Sequence, residues 1–143
     1  MQGEQVEADK KKGIDLMEKA ANAGNKTAAS NMSLAYRKGD GVEVNIEKSI
    51  EWAIKAAELG DDDRIFQYAV AYFNGEDPVT EDKAKAVEFF VLAANAGSST
   101  AMENLGVCYN NGYGVALDKN KAIEWFEKAA KEGGFKKAMD NLE

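Results

Sequence analysis

The sequence predicts an all-α fold, a solenoid of antiparallel helix pairs repeating every ~36 residues. Three observations carry this. Small pairs followed by glycine recur: Ala20-Ala21 before Gly24, Ala56-Ala57 before Gly60, Ala93-Ala94 before Gly97 and Ala129-Ala130 before Gly133, with glycines 36, 37 and 36 residues apart. Other positions keep that phase: Tyr36, Tyr72 and Tyr109, then Gly39, Gly75 and Gly112, then an aromatic position held by Trp52, Phe89 and Trp125 and by Leu16 in the first unit. Proline occurs once, at Pro78, so little interrupts a helix.

Each unit reads as two helices. Helix A runs from just after one repeat glycine to the next, as from Thr100 to Asn110, where Ala101, Leu105, Val107, Cys108 and Tyr109 fall near helical spacing. A glycine turn ends it, because glycine accepts the left-handed backbone that closes a helix. Its second element is Gly41-Val42, Pro78-Val79 or Gly114-Val115, and one extra residue here gives the middle unit its spacing of 37. Helix B is expected to open at Asp9, Asn45, Asp82 and Asp118, whose side-chain oxygens can take the free amides of a first turn. It then runs, in the last unit, through Ile123, Trp125 and Phe126 to Ala129-Ala130, and Gly133 stops it. Small side chains let two crossing helices approach while the aromatic fills the space beside them. One helix pair cannot bury its apolar face alone, so the units need one another.

This phase divides the chain. Residues 1–24 form a half repeat with helix B only, 25–60, 61–97 and 98–133 are full repeats, and 134–143 start a further helix A with Ala138 and Leu142 in register. Either the half-units act as caps or the chain is a piece of a longer array. The short last segment favours the second reading, or a partner covering that end, and open ends would allow self-association.

Composition narrows the function. Apolar residues make up 45% and charged residues 30% of the 143 residues, as in a folded globular chain. The net charge is −7 and Lys10-Lys11-Lys12 is the one basic run of three, so nucleic acid is not expected as a partner. No histidine is present, which removes Ser-His-Asp and Cys-His catalysis and most structural zinc sites. Cys108 is the single cysteine, so no intrachain disulfide forms. No signal-peptide pattern and no apolar run of membrane-spanning length occurs, which slightly favours a cytoplasmic setting.

The run Ala101, Leu105-Gly106, Tyr109, Gly112, Gly114-Val115, Asp118, Lys121-Ala122, Trp125, Lys128-Ala129-Ala130 and Gly133 resembles the Sel-one-like repeat (SLR), a branch of the tetratricopeptide-like helical repeats. The resemblance extends over about nine-tenths of the chain. The first full repeat departs at Met32-Ser33 and Ser49, the second at Arg64, Tyr68-Ala69 and Phe89, and these are expected to loosen the second repeat's helix A. The resemblance implies a right-handed α-α superhelix and a non-enzymatic adaptor that gathers other proteins. For some relatives it also implies cell-wall or β-lactam hydrolysis, which here would have to run on serine or carboxylates without histidine. A structural spacer within a larger repeat protein is the third reading, and no cofactor is implied.

In such a superhelix helix A lines the concave face, which makes its outward residues the candidate binding set for a protein or peptide. Asn31, Gln67 and Asn104 share one register, Arg37, Phe73 and Asn110 a second, and Lys38, Asn74 and Asn111 a third, with Phe66 one turn before Phe73. An amide ladder can bond an extended backbone, and Phe73 can anchor a side chain. The plainer reading is solvated amides and turn caps, Asn111 preceding a glycine. Cys108 is expected to be a buried small hydrophobe. Asp61-Asp62-Asp63 fails a calcium-loop pattern, with Phe66 where glycine is needed, and is expected to cap the next helix. Asn25-Lys26-Thr27 and Asn31-Met32-Ser33 fit the glycosylation pattern.

Overall fold

A computed structural model describes residues 2–133. The expected further helix A over 134–143 lies outside the described residues. Among those described there are seven helices and no strand: α1 (Gln2–Asn22), α2 (Lys26–Lys38), α3 (Ile46–Glu58), α4 (Asp63–Asn74), α5 (Lys83–Asn95), α6 (Ser99–Asn111) and α7 (Lys119–Glu132). The chain divides into two compact units, Met1–Arg64 and Ile65–Glu143, with the boundary in the first turn of α4.

Two kinds of turn set the phase. Helix A passes to helix B through a glycine in the left-handed region, Gly39 at φ 76° and Gly112 at φ 72°, where a Cβ would strain the backbone. The repeat tyrosine then accepts from the cap of the next helix: Asn45 N–H donates to the Tyr36 carbonyl at 2.9 Å, Asp82 to Tyr72 at 2.8 Å and Asp118 to Tyr109 at 2.9 Å. The caps are those expected, with the Asn45, Asp82 and Asp118 side chains accepting from Lys48, Lys85 and Lys121 N–H at 3.0 Å each. The same three lysines return over the tyrosine rings, 5.5, 5.6 and 5.3 Å from the centroids. Helix B passes to helix A through a tighter closure on the alanine pair. Asn25, Asp61 and Ser98 N–H donate to the carbonyls of Ala20, Ala56 and Ala93 at 3.0, 2.8 and 3.0 Å.

Asp9 does not open helix B of the first unit. It lies inside α1, where Gln5 Nε2 donates to its Oδ1 at 3.2 Å. Glu4, Gln5, Glu7 and Ala8 before it form helix readily, no proline precedes it, and Gly3 stands only in the first turn, so the capping signal is overridden.

In the first unit α1 packs on α2 and α2 on α3. Ala21, Ala28, Ala29 and Ala56 bury together against Trp52 and Leu59, and Ile14, Met32 and Ala35 against Met17 and Tyr36. Ile14, Met17 and Ala21 are one face of α1, so Leu16 is left 67% exposed and does not take the place of the repeat aromatic. In the second unit α5 packs on α6 and α6 on α7, with Leu105, Phe89, Phe90 and Phe126 buried. Tyr72 meets Phe89 edge-on at 5.5 Å. Ile123 on α7 is 44% exposed. The departures in the second repeat fill space instead of loosening it. Tyr68 is 3% exposed and Ala69 fully buried.

Small residues sit where helix A crosses helix B. A Cβ on Gly106 would stand 2.5 Å from the Phe126 ring. In the first repeat the crossing pair is Ser33 and Ser49, and the two departures from the repeat pattern face each other. Ser33 Oγ donates to the Ser49 carbonyl at 2.8 Å, and Ser49 Oγ to the Ser33 carbonyl at 2.7 Å, both residues at most 1% exposed. The second repeat has Ala69 and Ala86 in these registers. Ser33→Ala or Ser49→Ala is expected to lose about 1 kcal/mol of stability by urea unfolding. The double variant, which restores the alanine pairing of the next repeat, should lose less than the sum, with coupling of about 0.5 kcal/mol or more. Strict additivity would show that the serines act independently.

Candidate functional site

The exposed edges of α4 and α6, helices A of consecutive repeats, border a half-open cleft of about 220 Å³ in the second unit. Val70, Phe73 and Asn74 come from α4, Phe90 from α5, and Asn104, Val107 and Cys108 from α6. Three residues proposed from sequence thus line one cleft: Phe73, Asn74 and Asn104. Val70 and Val107 occupy the same repeat register, with Leu34 in the first repeat. Val107 fell in the helical spacing of helix A but was not among the candidate binding residues, and it is 39% exposed. The signal that could have found this pair is the recurrence of an aliphatic residue at one register on the outward side of helix A.

Phe73 is braced from several sides. Its ring meets Phe90 edge-on at 6.4 Å and Tyr113 at 5.8 Å. Lys83 Nζ stands 4.6 Å from the ring centroid, donates to the Phe73 carbonyl at 3.1 Å and pairs with Glu81 at 2.7 Å. Phe66 packs edge-on against Phe90 at 5.9 Å, supporting the cleft wall without lining it. Asn74 Nδ2 donates to Glu76 Oε1 at 3.0 Å. Asn104 is half-buried at the cleft, while Gln67 is exposed and off its lining. Asn110 and Asn111 serve local structure: Asn110 accepts from Lys119 Nζ at 3.1 Å, and Asn111 donates to the Val107 carbonyl at 2.9 Å.

In the first unit Asn31, Leu34 and Lys38 line another cleft, of about 380 Å³, between α1 and α2, while Arg37 is exposed and outside its lining. Lys10 and Asp40 close one side of it with an ion pair at 2.9 Å, and the Asp40 carboxylate holds the Lys10 ammonium above its usual range. The Asp61, Asp62 and Asp63 carboxylates lie within 4.8 Å of one another, and Asp61 Oδ1 accepts from Asp63 N–H at 3.1 Å, as a cap does. Ser33 of the second glycosylation triplet is buried in the crossing with α3, and Asn25 of the first caps α2.

Residues 1–25, 27–61, 65–98 and 99–134 match the family model described as Sel1 repeat. The chain belongs to the Sel1 repeat family. No curated protein matches it by sequence. Among solved structures it is similar to a Sel1 repeat protein from Oxalobacter formigenes, at 34% identity and TM-score 0.69, over 91% of this chain and 96% of that one. It is similar to a protective antigen of uropathogenic Escherichia coli displaying an SLR fold, at 31% identity and TM-score 0.60, covering 84% of this chain but only 26% of that one. Cysteine-rich protein B of Helicobacter pylori follows at 26% identity and TM-score 0.59, over 94% and 96%. Sel1 repeat proteins are all-α solenoids, in general protein-interaction scaffolds and typically non-catalytic. No helix among the described residues is long and apolar enough to cross a membrane.

Cys108 is 1% exposed, and burial pushes its thiol up to about 11, partly opposed by the Lys83 charge. A thiol held protonated is a poor nucleophile. The unfolded chain ionises this thiol near 9.0 and the folded chain near 11, so the folded state loses ground as pH rises through that window. Unfolding free energy measured against pH should fall more steeply there for the wild type than for Cys108→Ala. Equal slopes would show that the buried thiol does not contribute.

Proposed function

We propose that this Sel1 repeat chain is a non-enzymatic scaffold that binds a protein or peptide segment along the concave helix-A face, centred on the α4–α6 cleft. The observation that carries this reading is the convergence of Phe73, Asn74 and Asn104, from two repeats, on one cleft with Val70 and Val107. An aromatic wall with amides beside it suits a segment that offers apolar side chains and main-chain hydrogen-bonding groups. Phe73 is already held by Phe90, Tyr113 and Lys83, so little freedom remains to be lost on binding. The family's general role as interaction scaffolds supports the same reading. Histidine is absent and the one thiol is buried, so the side chains at this cleft offer no nucleophile–base pair.

The test is capture from native lysate by the wild type beside the Phe73→Ala/Asn74→Ala/Asn104→Ala variant, with circular dichroism confirming that both are folded. Loss of a hot-spot group is worth about 1–4 kcal/mol, so a partner held by the wild type should be lost by the variant. A partner retained equally by both would sink the helix-A face as the binding surface.

A further inference from the structure

We infer that the α4–α6 cleft selects a peptide segment carrying one apolar side chain next to a lysine or arginine. The inference rests on the scaffold reading and names the chemistry of its partner.

Size comes first. An apolar cavity of about 150 Å³ is enough to hold a benzene ring. At about 220 Å³ the cleft has room for one phenyl or branched aliphatic side chain. Pockets for drug-sized molecules and cofactors begin at about 300 Å³. The lining agrees: Val70, Phe73, Phe90 and Val107 are apolar, and the amides of Asn74 and Asn104 each offer a donor and an acceptor. An extended peptide presents main-chain groups of both kinds beside every side chain.

Charge selects the neighbour. Glu76 is one hydrogen bond from the lining residue Asn74, and Asp77 beside it is exposed. Neither forms an ion pair among the described residues. The cation on this side, Lys83, is already engaged by Glu81 and by the Phe73 carbonyl. The Glu76 carboxylate, bonded to Asn74 and in no ion pair, therefore sets negative charge beside the cleft, on a chain whose net charge is −7. A cationic side chain beside the apolar one is attracted to it, and an acidic or phosphorylated segment is repelled.

The experiment selects a displayed random peptide library on the full chain and synthesises the consensus. Two surface variants probe the two parts of the inference: Val107→Phe fills the cleft from a partly exposed position, and Glu76→Lys reverses the rim charge from an exposed one. Enriched peptides should pair Leu, Ile, Met or Phe with an adjacent Lys or Arg. Their affinity should fall about tenfold or more on Val107→Phe. It should fall about threefold on Glu76→Lys, a difference that added salt removes. Peptides that lack the adjacent cation, or that bind Glu76→Lys as well as wild type, overturn this inference. If those same peptides are lost on the Phe73/Asn74/Asn104 variant, the scaffold reading stands without it. Peptides indifferent to that variant overturn both. A library that yields no enrichment overturns the inference, and lysate capture then decides the scaffold reading separately.

Discussion

Where helix A crosses helix B, the space between the two backbones admits little more than a methyl group. At Gly106 even that is excluded, because the Phe126 ring fills the position a Cβ would take. Ala69 occupies the same register in the preceding repeat and is fully buried. The rest of the repeat follows from this approach. Close backbones bring the tyrosine near the end of helix A within reach of the next helix's capping amide, and they set the lysine of that helix over the tyrosine ring. On the outward side of helix A, Val70, Phe73 and Val107 become walls of a cleft.

The first repeat meets the same constraint with different chemistry. Two hydroxyls replace hydrogen and methyl, and each finds the carbonyl of the opposite helix, so the added polarity is buried without an unsatisfied group. Phe126 has no counterpart there, since Ala53 holds its register. The crossing is thus sealed by hydrogen bonds where the third repeat uses a ring. The outward side differs as well. The first unit shows Asn31 and Lys38 around an ion pair, and the second shows aromatic and aliphatic walls with the Glu76 carboxylate bonded to Asn74 beside them.

Much of this was legible in the chain. Glycine spacing, capping residues and the alanine pairs mark the helices, because each answers a local requirement that one residue can meet: a positive φ, a free amide, a tight crossing. Asp9 misled because a capping residue starts a helix only where the chain before it is not already helical. Leu16 misled for another reason. Register gives a residue's direction from its own helix axis, but burial needs a neighbour on that side. The cleft was half legible. Phe73, Asn74 and Asn104 were visible as outward residues, whereas the pairing of Val70 with Val107 depends on how α4 lies beside α6. The partnership of Ser33 with Ser49 was hidden likewise, as two unrelated lapses from a pattern.

The cleft lies across a junction between repeats, with walls from the 65–98 repeat on one side and the 99–134 repeat on the other. In a linear array each module is held mainly by its neighbours, and separate modules can fray at different moments. An occupant touching both walls adds to the term that couples them and nothing to the stability of either module alone. Binding would therefore act as a staple at that junction, turning two units that can open one after the other into a block that opens together.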